Sequence, residues 1–417
     1  MSGSVVMRHL VFILGLLSIS TAALPAGFEF DLSGNARSRL EADDNRRLRV
    51  DSQEVSFATI TNAQAKLDLR TETYSASLRP RVRTSRFTRE TALNFDEYYV
   101  QLSMGKFWER ARLSLDFDFE RESSVTTELT DVGSAETNLP RTGLGLNLSW
   151  LYQVTPRFQT TLSGGLNQST FESVPGSRFV DSDQANVGLD LDYQFSDRTA
   201  LLFNSSASAF STDNGRDTAS YLYQAGLRSA LTETFNATVL VGQNLSRITQ
   251  ELPQPVPATV QVLFFGTPFL VPNGNFVNKL RESSAGRVIN VQVNKEIQRG
   301  FGTVAWSQFF SPTSQGVRAR RESVVAGGEY DISLRWKAQL DYAFRNQTQE
   351  GRFGTLLASI ETHSVRSQVS YQFAKEWFAE VGYRYLRQFN PATEDLTESN
   401  MLFIAVRYSG DPFFRIR

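Results

Sequence analysis

Apolar and polar residues alternate with a period of two along most of this chain. In one segment after residue 140 every second position is apolar, and these positions are Leu144, Leu146, Leu148, Trp150 and Tyr152. The residues between them are small or polar. Successive side chains of a β-strand point to opposite faces, so this period predicts strands with one apolar and one polar face.

Two such strands and a short turn make a unit that recurs along the chain. Tyr152 and Tyr193 are 41 positions apart, and so are Tyr330 and Tyr371. The short turns alternate with longer loops rich in Asp, Asn, Ser, Thr and Gly, and these longer loops are 43–52, 123–138, 173–183 and 390–398. Propeller blades repeat at a similar period, but their strands are buried on both faces. Arrays of soluble β-sandwiches would not expose so many rings on one strand face.

The number of strands follows from the short turns. We place eight of them, near Glu72, Lys106, Pro156, Asp197, Glu233, Gln298, Ser333 and Lys375. Eight turns join sixteen strands, and a first strand at 28–40 with a last strand at 401–408 brings the number to eighteen. Sixteen is also compatible with the sequence, because 301–310 is irregular and the long apolar loop 253–279 has room for a hairpin.

Strands with an outward apolar band, rings near the short turns, and short connections at one end against long ones at the other are typical of outer-membrane barrels. A closed barrel also satisfies every backbone hydrogen bond in lipid, because it has no edge strand. We therefore predict an all-β fold, a transmembrane antiparallel up-and-down β-barrel of about 16–18 strands. Its predicted location is the cell outer membrane.

The amino terminus has the order of residues that is typical of a cleaved export signal. Arg8 and His9 precede an apolar run at 10–19, and small residues follow at 20–23. A membrane anchor would need a longer run, and no later run reaches the ~18 apolar residues of a membrane helix. We expect a signal peptide at 1–23 and a single outer-membrane β-barrel at 24–417.

Composition excludes several kinds of chemistry. The chain has no cysteine, so disulfides, thiolate metal sites and catalytic thiols are excluded. One of its two histidines, His9, lies in the predicted signal, which leaves His363 alone and excludes a histidine metal cluster. A Ser-His hydrolase would have to be built around His363, but the adjacent Ser364 would point to the opposite strand face. We expect a solvated loop histidine, no enzyme, no cofactor and no metal; the net charge of -1 gives no indication of a nucleic-acid partner.

A barrel of this width leaves an aqueous channel, so the charges at inward positions matter. On the third predicted strand Leu78, Pro80 and Val82 would face lipid, which turns the arginines between them inward. The predicted pore-lining residues are Arg37, Arg39, Arg79, Arg81, Arg83, Arg112, Asp116, Asp118 and Glu120. The basic and acidic ladders would lie roughly 10 Å apart, two strand spacings across the wall. They would form a constriction with a transverse field, or a self-neutralising network that stiffens the wall, or both.

Aromatic residues flank the short turns, where rings at a membrane–water interface are expected. The predicted interface aromatics are Tyr152, Tyr193, Tyr330, Trp336, Tyr371 and Trp377. These rings would also pack against neighbours across the strands.

The hairpins at 152–158 (Tyr-Gln-Val-Thr-Pro-Arg-Phe) and 193–199 (Tyr-Gln-Phe-Ser-Asp-Arg-Thr) resemble those of the loosely defined β-barrel porin families of Gram-negative outer membranes. Some of these families resemble barrels associated with exopolysaccharide loci. The last strand, which ends at Tyr408, is similar to the aromatic-ended signal by which such barrels are recognised for insertion, although residues 409–417 follow it. The resemblance implies outer-membrane lipid, lipopolysaccharide, the barrel-assembly machinery and periplasmic polysaccharide-export components as partners.

Together these features predict an outer-membrane channel for passive passage of hydrophilic solutes, with saccharides or an exported exopolysaccharide as the favoured class. A general small-solute porin is the first alternative. The others are a structural or adhesion barrel without a transport role and a barrel hydrolase.

Overall fold

The computed structural model describes residues 29–48, 54–124, 138–172, 179–256, 259–264, 267–272, 277–312, 318–350, 356–391, 393–410 and 414–416. The predicted export signal at 1–23 lies outside these residues. No helix within the described ranges is long and apolar enough to cross a membrane.

The described chain is almost entirely strand. Its strands are β1 (Glu29–Asp43), β2 (Ser56–Arg70), β3 (Tyr74–Phe87), β4 (Phe95–Phe107), β5 (Ala111–Ser123), β6 (Pro140–Thr155), β7 (Phe158–Phe171), β8 (Ser182–Ser196), β9 (Thr199–Thr212), β10 (Arg216–Thr232), β11 (Phe235–Val256), β12 (Thr259–Phe264), β13 (Thr267–Pro272), β14 (Val277–Ile297), β15 (Gly300–Pro312), β16 (Arg318–Asp331), β17 (Trp336–Glu350), β18 (Leu356–Ala374), β19 (Trp377–Asn390), β20 (Asp395–Ser409) and β21 (Phe414–Ile416). One 3-10 turn, at Thr91–Leu93, precedes β4.

Eighteen of these strands, β1–β11 and β14–β20, form one closed antiparallel barrel. Closure is made by β1 and β20, which pair from Asn35 with Ser409 to Asp43 with Met401. The short β21 continues the line of β20 beside β1, and β12 and β13 form a separate hairpin. The predicted fold is confirmed, at the upper end of the predicted range of strands.

All eight predicted short turns lie between consecutive strands at one end of the barrel, which we call the short-turn end. The opposite, long-loop end carries the remaining connections. One predicted long loop, 390–398, is wrong, because β19 continues to Asn390 and β20 begins at Asp395. Polar side chains pair across these strand ends, as when the Tyr385 hydroxyl donates to Glu398 at 2.8 Å. A strand that rises beyond the lipid needs no apolar alternation, so its length was underestimated.

The two strand faces differ as the period of two predicts. On β20, Leu402 and Ile404 are 60% and 59% exposed, whereas Met401 and Phe403 are 2% exposed. Phe403 lies beneath the guanidinium group of Arg37 of β1. Arg37 forms an ion pair with Glu380 of β19 along the inner face of the wall, over the intervening strand β20. Met401 and Phe403 therefore face inward. Directly paired residues of antiparallel strands share a face, so the register extends this assignment around the wall.

The two strands β14 and β15 separate before they reach the long-loop end. Their pairing stops at Ile289 and Gln308, and no further pair between them follows among the described residues. β14 nevertheless continues to Val277 beside β11, and β15 continues to Pro312 beside β16. The region predicted as irregular is thus a regular strand whose end leaves its neighbour.

The end of β15 passes inside the wall rather than outside it. The ring of Phe310 occupies the space next to Gly286 of β14, where a Cβ atom would overlap it. Gly286 pairs with Asn244, which is only 6% exposed although its neighbour Leu245 is exposed. The outer face of the β15 end therefore covers the inner face of β14 and β11.

The chain between β11 and β14, predicted as a long loop with room for a hairpin, contains the hairpin β12–β13. Its backbone ladder extends from Thr259 with Pro272 to Phe264 with Thr267.

Candidate functional site

The inner face of the barrel carries two contrasting regions. We call one the charged wall, which we define by fourteen of the inward charged residues of β1, β3, β4, β5, β19 and β20. Its members are Arg37, Arg39, Glu41, Asp43, Arg79, Arg81, Arg83, Glu97, Asp116, Asp118, Glu120, Glu380, Arg384 and Arg407. All the predicted pore-lining residues except Arg112 belong to it.

The three arginines of β3 have different surroundings. Arg83 forms an ion pair with Glu97 of β4 at 3.3 Å. The guanidinium carbon of Arg81 lies 3.9 Å from the centre of the Tyr99 ring, and Arg79 donates to the Ser77 hydroxyl at 3.3 Å. Among the described residues Arg79 and Arg81 have no carboxylate within ion-pair distance.

The acidic residues of β5 lie in the same rows as these arginines, with β4 between them. Gln101 separates Arg79 from Asp118, and Tyr99 separates Arg81 from Glu120. Two strand spacings, roughly 10 Å, therefore separate the two ladders, as the sequence predicted.

Glu120 forms its ion pair with β6, on the side of β5 that is opposite to the arginines of β3. Its carboxylate lies 2.9 Å from Arg141 of β6, which also binds Glu122 at 2.6 Å. In the described part of the chain Asp116 and Asp118 enter no ion pair. Basic and acidic side chains without an ion-pair partner in the described structure thus lie on this part of the wall, with β4 between them.

Where the barrel closes, the charges are paired and buried. Glu380 forms ion pairs with both Arg37 at 2.6 Å and Arg407 at 2.7 Å, and its side chain is 2% exposed. Arg39 pairs with Glu41. These contacts connect β19, β20 and β1, so the ion pairs reinforce the seam between the first and last strands.

Close by, Asp43 holds the long-loop end of the same seam. Its carboxylate accepts from Arg384 of β19 at 3.0 Å and from the Ser399 hydroxyl of β20 at 2.8 Å. The Asp43 side chain is 1% exposed. A buried carboxylate needs such partners, because an unpaired charge is costly to remove from water.

Arg112 shares the inward face of β5 with Asp116, Asp118 and Glu120 but lies apart from the other predicted residues, near the short-turn end. Its guanidinium carbon is 5.0 Å from the centre of the Phe107 ring, and its Nε donates to Ser114 at 3.2 Å. A role of these nine residues in conduction stays a prediction.

The second region is the uncharged wall, the inner face of β6–β11 around a cavity of about 460 Å³. Its polar side chains include Asn147, Asn186, Ser206, Ser208, Ser220 and Asn244. None of the described residues that line this cavity is charged. Phe310 and Ser311, from the end of β15, line it from the opposite side.

Sequence reasoning missed the uncharged wall as a site. Serine, asparagine and glycine at alternate positions indicate only that a strand has a polar face. One signal for this site is present in the sequence, because the inward positions in the middle of several consecutive strands carry no charged residue. The contribution of Phe310 could not be predicted in this way, because it depends on the separation of β14 from β15.

The predicted interface aromatics lie near the short-turn end on the exposed strand face. Tyr193 and Trp377 are 44% and 43% exposed. Trp336 packs against Tyr371 with ring centres 4.6 Å apart, so the rings also contact one another across strands. Tyr152 and Tyr330 have similar exposure. Two further rings that the sequence reading omitted, Tyr74 and Trp108, each lie 5.0 Å from the Lys106 ammonium group.

The expectation for His363 is wrong in its position. His363 lies within β18, pairs with Phe344 of β17, and makes a 3.1 Å hydrogen bond between its Nδ1 and the Tyr342 hydroxyl. It faces outward, because the strand alternation places Ser364 inward opposite Ala343. The imidazole and the Ser364 hydroxyl therefore do not contact each other. In the described ranges no group of three or more potential ligands could hold a metal ion.

Comparison with known proteins gives fold resemblance only. No protein-family model matches the chain, and no curated protein matches it either. Its architecture is similar to OccAB3 of Acinetobacter baumannii, with 10% identity, a TM-score of 0.46, and coverage of 93% of this chain and 99% of that one. The outer membrane protein opdK of Pseudomonas aeruginosa is 9% identical, with a TM-score of 0.47 and coverage of 91% of this chain and 99% of that one. OccK2 (OpdF) of the same organism, in complex with glucuronate, is 11% identical, with a TM-score of 0.48 and coverage of 91% of this chain and 98% of that one.

The fold itself defines the class of protein. A closed antiparallel barrel with aliphatic side chains exposed outside and polar groups inside satisfies its backbone hydrogen bonds in lipid. Short turns at one end, longer connections at the other and an even number of strands complete the pattern of a Gram-negative outer-membrane barrel. The protein is located in the outer membrane.

Proposed function

We propose that the protein is a passive outer-membrane channel for small hydrophilic solutes. The observation that carries the proposal is the charged wall, in which the side chains of Arg79, Arg81, Asp116 and Asp118 lie on the inner face of an eighteen-strand barrel without an ion-pair partner in the described structure. Such groups need water, and a barrel of this strand number has room for an aqueous channel.

Planar-bilayer recording tests this proposal. The purified, folded protein should produce stepwise currents in symmetric salt, and a salt gradient should give a reversal potential that depends on the charged wall. Loss of the folded barrel serves as the control, because a chain boiled before reconstitution should give no steps. A folded protein that never conducts would leave a structural or adhesion barrel as the better account.

Passage of saccharides, including export of a polysaccharide, is the more specific form of the proposal. The uncharged wall supports saccharides, because its amides and hydroxyls suit neutral solutes. Export of a polymer predicts that long sugars reduce the current more than short ones and from the periplasmic side. Equal effects of long and short sugars would favour a general small-solute porin. Lipopolysaccharide, the barrel-assembly machinery and periplasmic export components stay predicted partners.

A hydrolytic function has less support. The outward position of His363 and the inward position of Ser364 separate the pair that a serine hydrolase would need. If lipase activity were found, the His363→Ala variant should retain it.

A further inference from the structure

We propose that the uncharged wall is a binding site for a neutral sugar of one or two rings, with Phe310 as the face against which the sugar ring lies. This inference rests on the proposed channel function for access to the site. It goes further in naming a position in the lumen, a ligand class and the side chains that bind it.

The polar groups of the uncharged wall form a continuous row across neighbouring strands. Asn147 of β6 pairs with Gly165 of β7, Gly165 with Asn186 of β8, and Asn186 with Ser208 of β9. Ser208 then pairs with Ser220 of β10. At strand spacings of roughly 4.8 Å, this row supplies a hydrogen-bonding group at almost every step over roughly 20 Å.

Gly165 allows two amides of this row to converge. The Oδ1 atoms of Asn147 and Asn186 lie 2.5 Å and 2.6 Å from the position that a Cβ atom of residue 165 would occupy. Any side chain at this position would push both amides apart. The glycine thus lets the two asparagine side chains approach each other in the space that a side chain at position 165 would fill.

The chemistry of this lining favours a neutral polyol over an ion. Each asparagine, glutamine, serine or threonine side chain both donates and accepts hydrogen bonds, as a sugar hydroxyl does. An ion that left water here would find no opposite charge, which is unfavourable. A neutral sugar exchanges its hydrogen bonds with water for equivalent ones at little net cost.

The opposite side of the cavity comes from the end of β15. The Phe310 ring is held against Gly286, and Ser311 lies beside it. The Ser311 Oγ atom is buried and has no hydrogen-bond partner in the described structure. The apolar ring can receive the C–H groups of a sugar, since the face of an aromatic ring is negative and these hydrogens carry partial positive charge.

The dimensions agree with this ligand class. A volume of about 460 Å³ lies within the range of small-molecule sites, roughly 300–1,000 Å³. The cavity is bounded by the wall on one side and Phe310 on the other. A ligand would therefore be bound between a polar surface and an aromatic ring while the charged wall remained accessible to ions.

Sugar-induced block of the current tests the inference. Glucose and maltose are added to single channels of the full-length protein in a bilayer, and the concentration that halves the current is measured. We expect block by maltose in the wild type, and for Phe310→Ala a half-blocking concentration about ten-fold higher, as for the loss of ~1.4 kcal/mol of binding free energy. Asn186→Ala should raise it roughly five-fold, as for the loss of one to two neutral hydrogen bonds.

The matched control is Phe309→Ala. Phe309 is adjacent on the same strand and lines a different cavity, near Glu120 and Arg141, rather than the uncharged wall. Its removal should leave the maltose block unchanged. A heat-induced shift in gel mobility confirms that each variant is folded. If Phe310→Ala does not fold, the maltose block of Asn186→Ala tests the sugar site instead.

The outcomes separate this inference from the channel function. A conducting wild type that maltose does not block, or equal effects of Phe310→Ala and Phe309→Ala, would overturn the sugar site and leave the channel standing. Absence of conductance would overturn the channel, and equilibrium dialysis of radiolabelled maltose against detergent-solubilised wild type and Asn186→Ala would then decide the sugar site. Equal maltose retention by these two proteins would overturn it.

Discussion

The charged wall and the uncharged wall are built from the same kind of strand, with the same alternation, yet they meet different physical demands. Where charges are buried, as at Glu380 and Asp43, each carboxylate has at least one guanidinium partner. The uncharged wall buries Asn244 and Ser246 with one neutral hydrogen bond between them, which the Ser246 hydroxyl donates. The comparison shows that one barrel face combines buried ion pairs, charged side chains without an ion-pair partner and neutral hydrogen-bonding groups in separate regions of the described structure.

The largest effect on stability should come from removing one partner of the buried ion pairs in the charged wall. Glu380→Ala leaves Arg37 and Arg407 inside the barrel without their common carboxylate. Removing one partner of a buried ion pair typically costs about 3–5 kcal/mol, so the urea midpoint of unfolding in detergent should fall strongly. Ser246→Ala is the control in the uncharged wall, where the Ser246 side chain is 4% exposed and donates to Asn244 at 2.8 Å, because the loss of a neutral hydrogen bond costs about 1 kcal/mol. Equal costs for the two variants would mean that Glu380 is not a structural partner.

A smaller effect should follow from crowding the end of β15. Gly286→Ala places a methyl group where the Phe310 ring lies, so the ring or the strand end must move. Overpacking of this kind costs about 1–3 kcal/mol. We expect a modest loss of stability and a weaker maltose block, measured by urea unfolding and by single-channel recording. Gly302→Ala has no such ring to displace, because an added Cβ there would meet only a backbone oxygen at 3.9 Å; a similar result for both glycines would contradict the placement of Phe310.

Replacing the arginines of the charged wall that have no ion-pair partner in the described structure should change ion selectivity and hardly change stability. Replacing Arg79 and Arg81 by serine removes two unpaired positive charges and should shift the reversal potential toward cations. The shift should fade as salt rises, because the Debye length falls from ~10 Å at 0.1 M to ~3 Å at 1 M. Arg37→Gln, which removes a charge already paired with Glu380, serves as the contrast, since its main effect should be on unfolding. A shift that persists at high salt would point to a change in pore shape instead of charge.

Much of the fold follows from the sequence, because a period of two and turn chemistry are local properties. The inward position of Arg79, Arg81 and Arg83 follows from alternation, and the eight short turns follow from the breaks in this alternation and the residues at them. The position of His363 was missed because the strand continues through polar residues beyond the apolar band. The partners of individual charges, such as Arg141 for Glu120, depend on neighbouring strands and side-chain conformations that a period does not specify. Phe310 was missed for a different reason, since only the separation of β14 and β15 turns its outward side chain into the lumen.

The most direct test of the account measures reversal potential and maltose block in the same channel for two variants. The Arg79→Ser/Arg81→Ser protein should shift in reversal potential and keep the wild-type maltose block. Phe310→Ala should show the opposite pattern, with unchanged selectivity and a weakened block. If both variants altered both properties equally, or if neither variant altered either property in a folded, conducting barrel, the division of the lumen into a charged wall for ions and an uncharged wall for neutral sugars would be wrong.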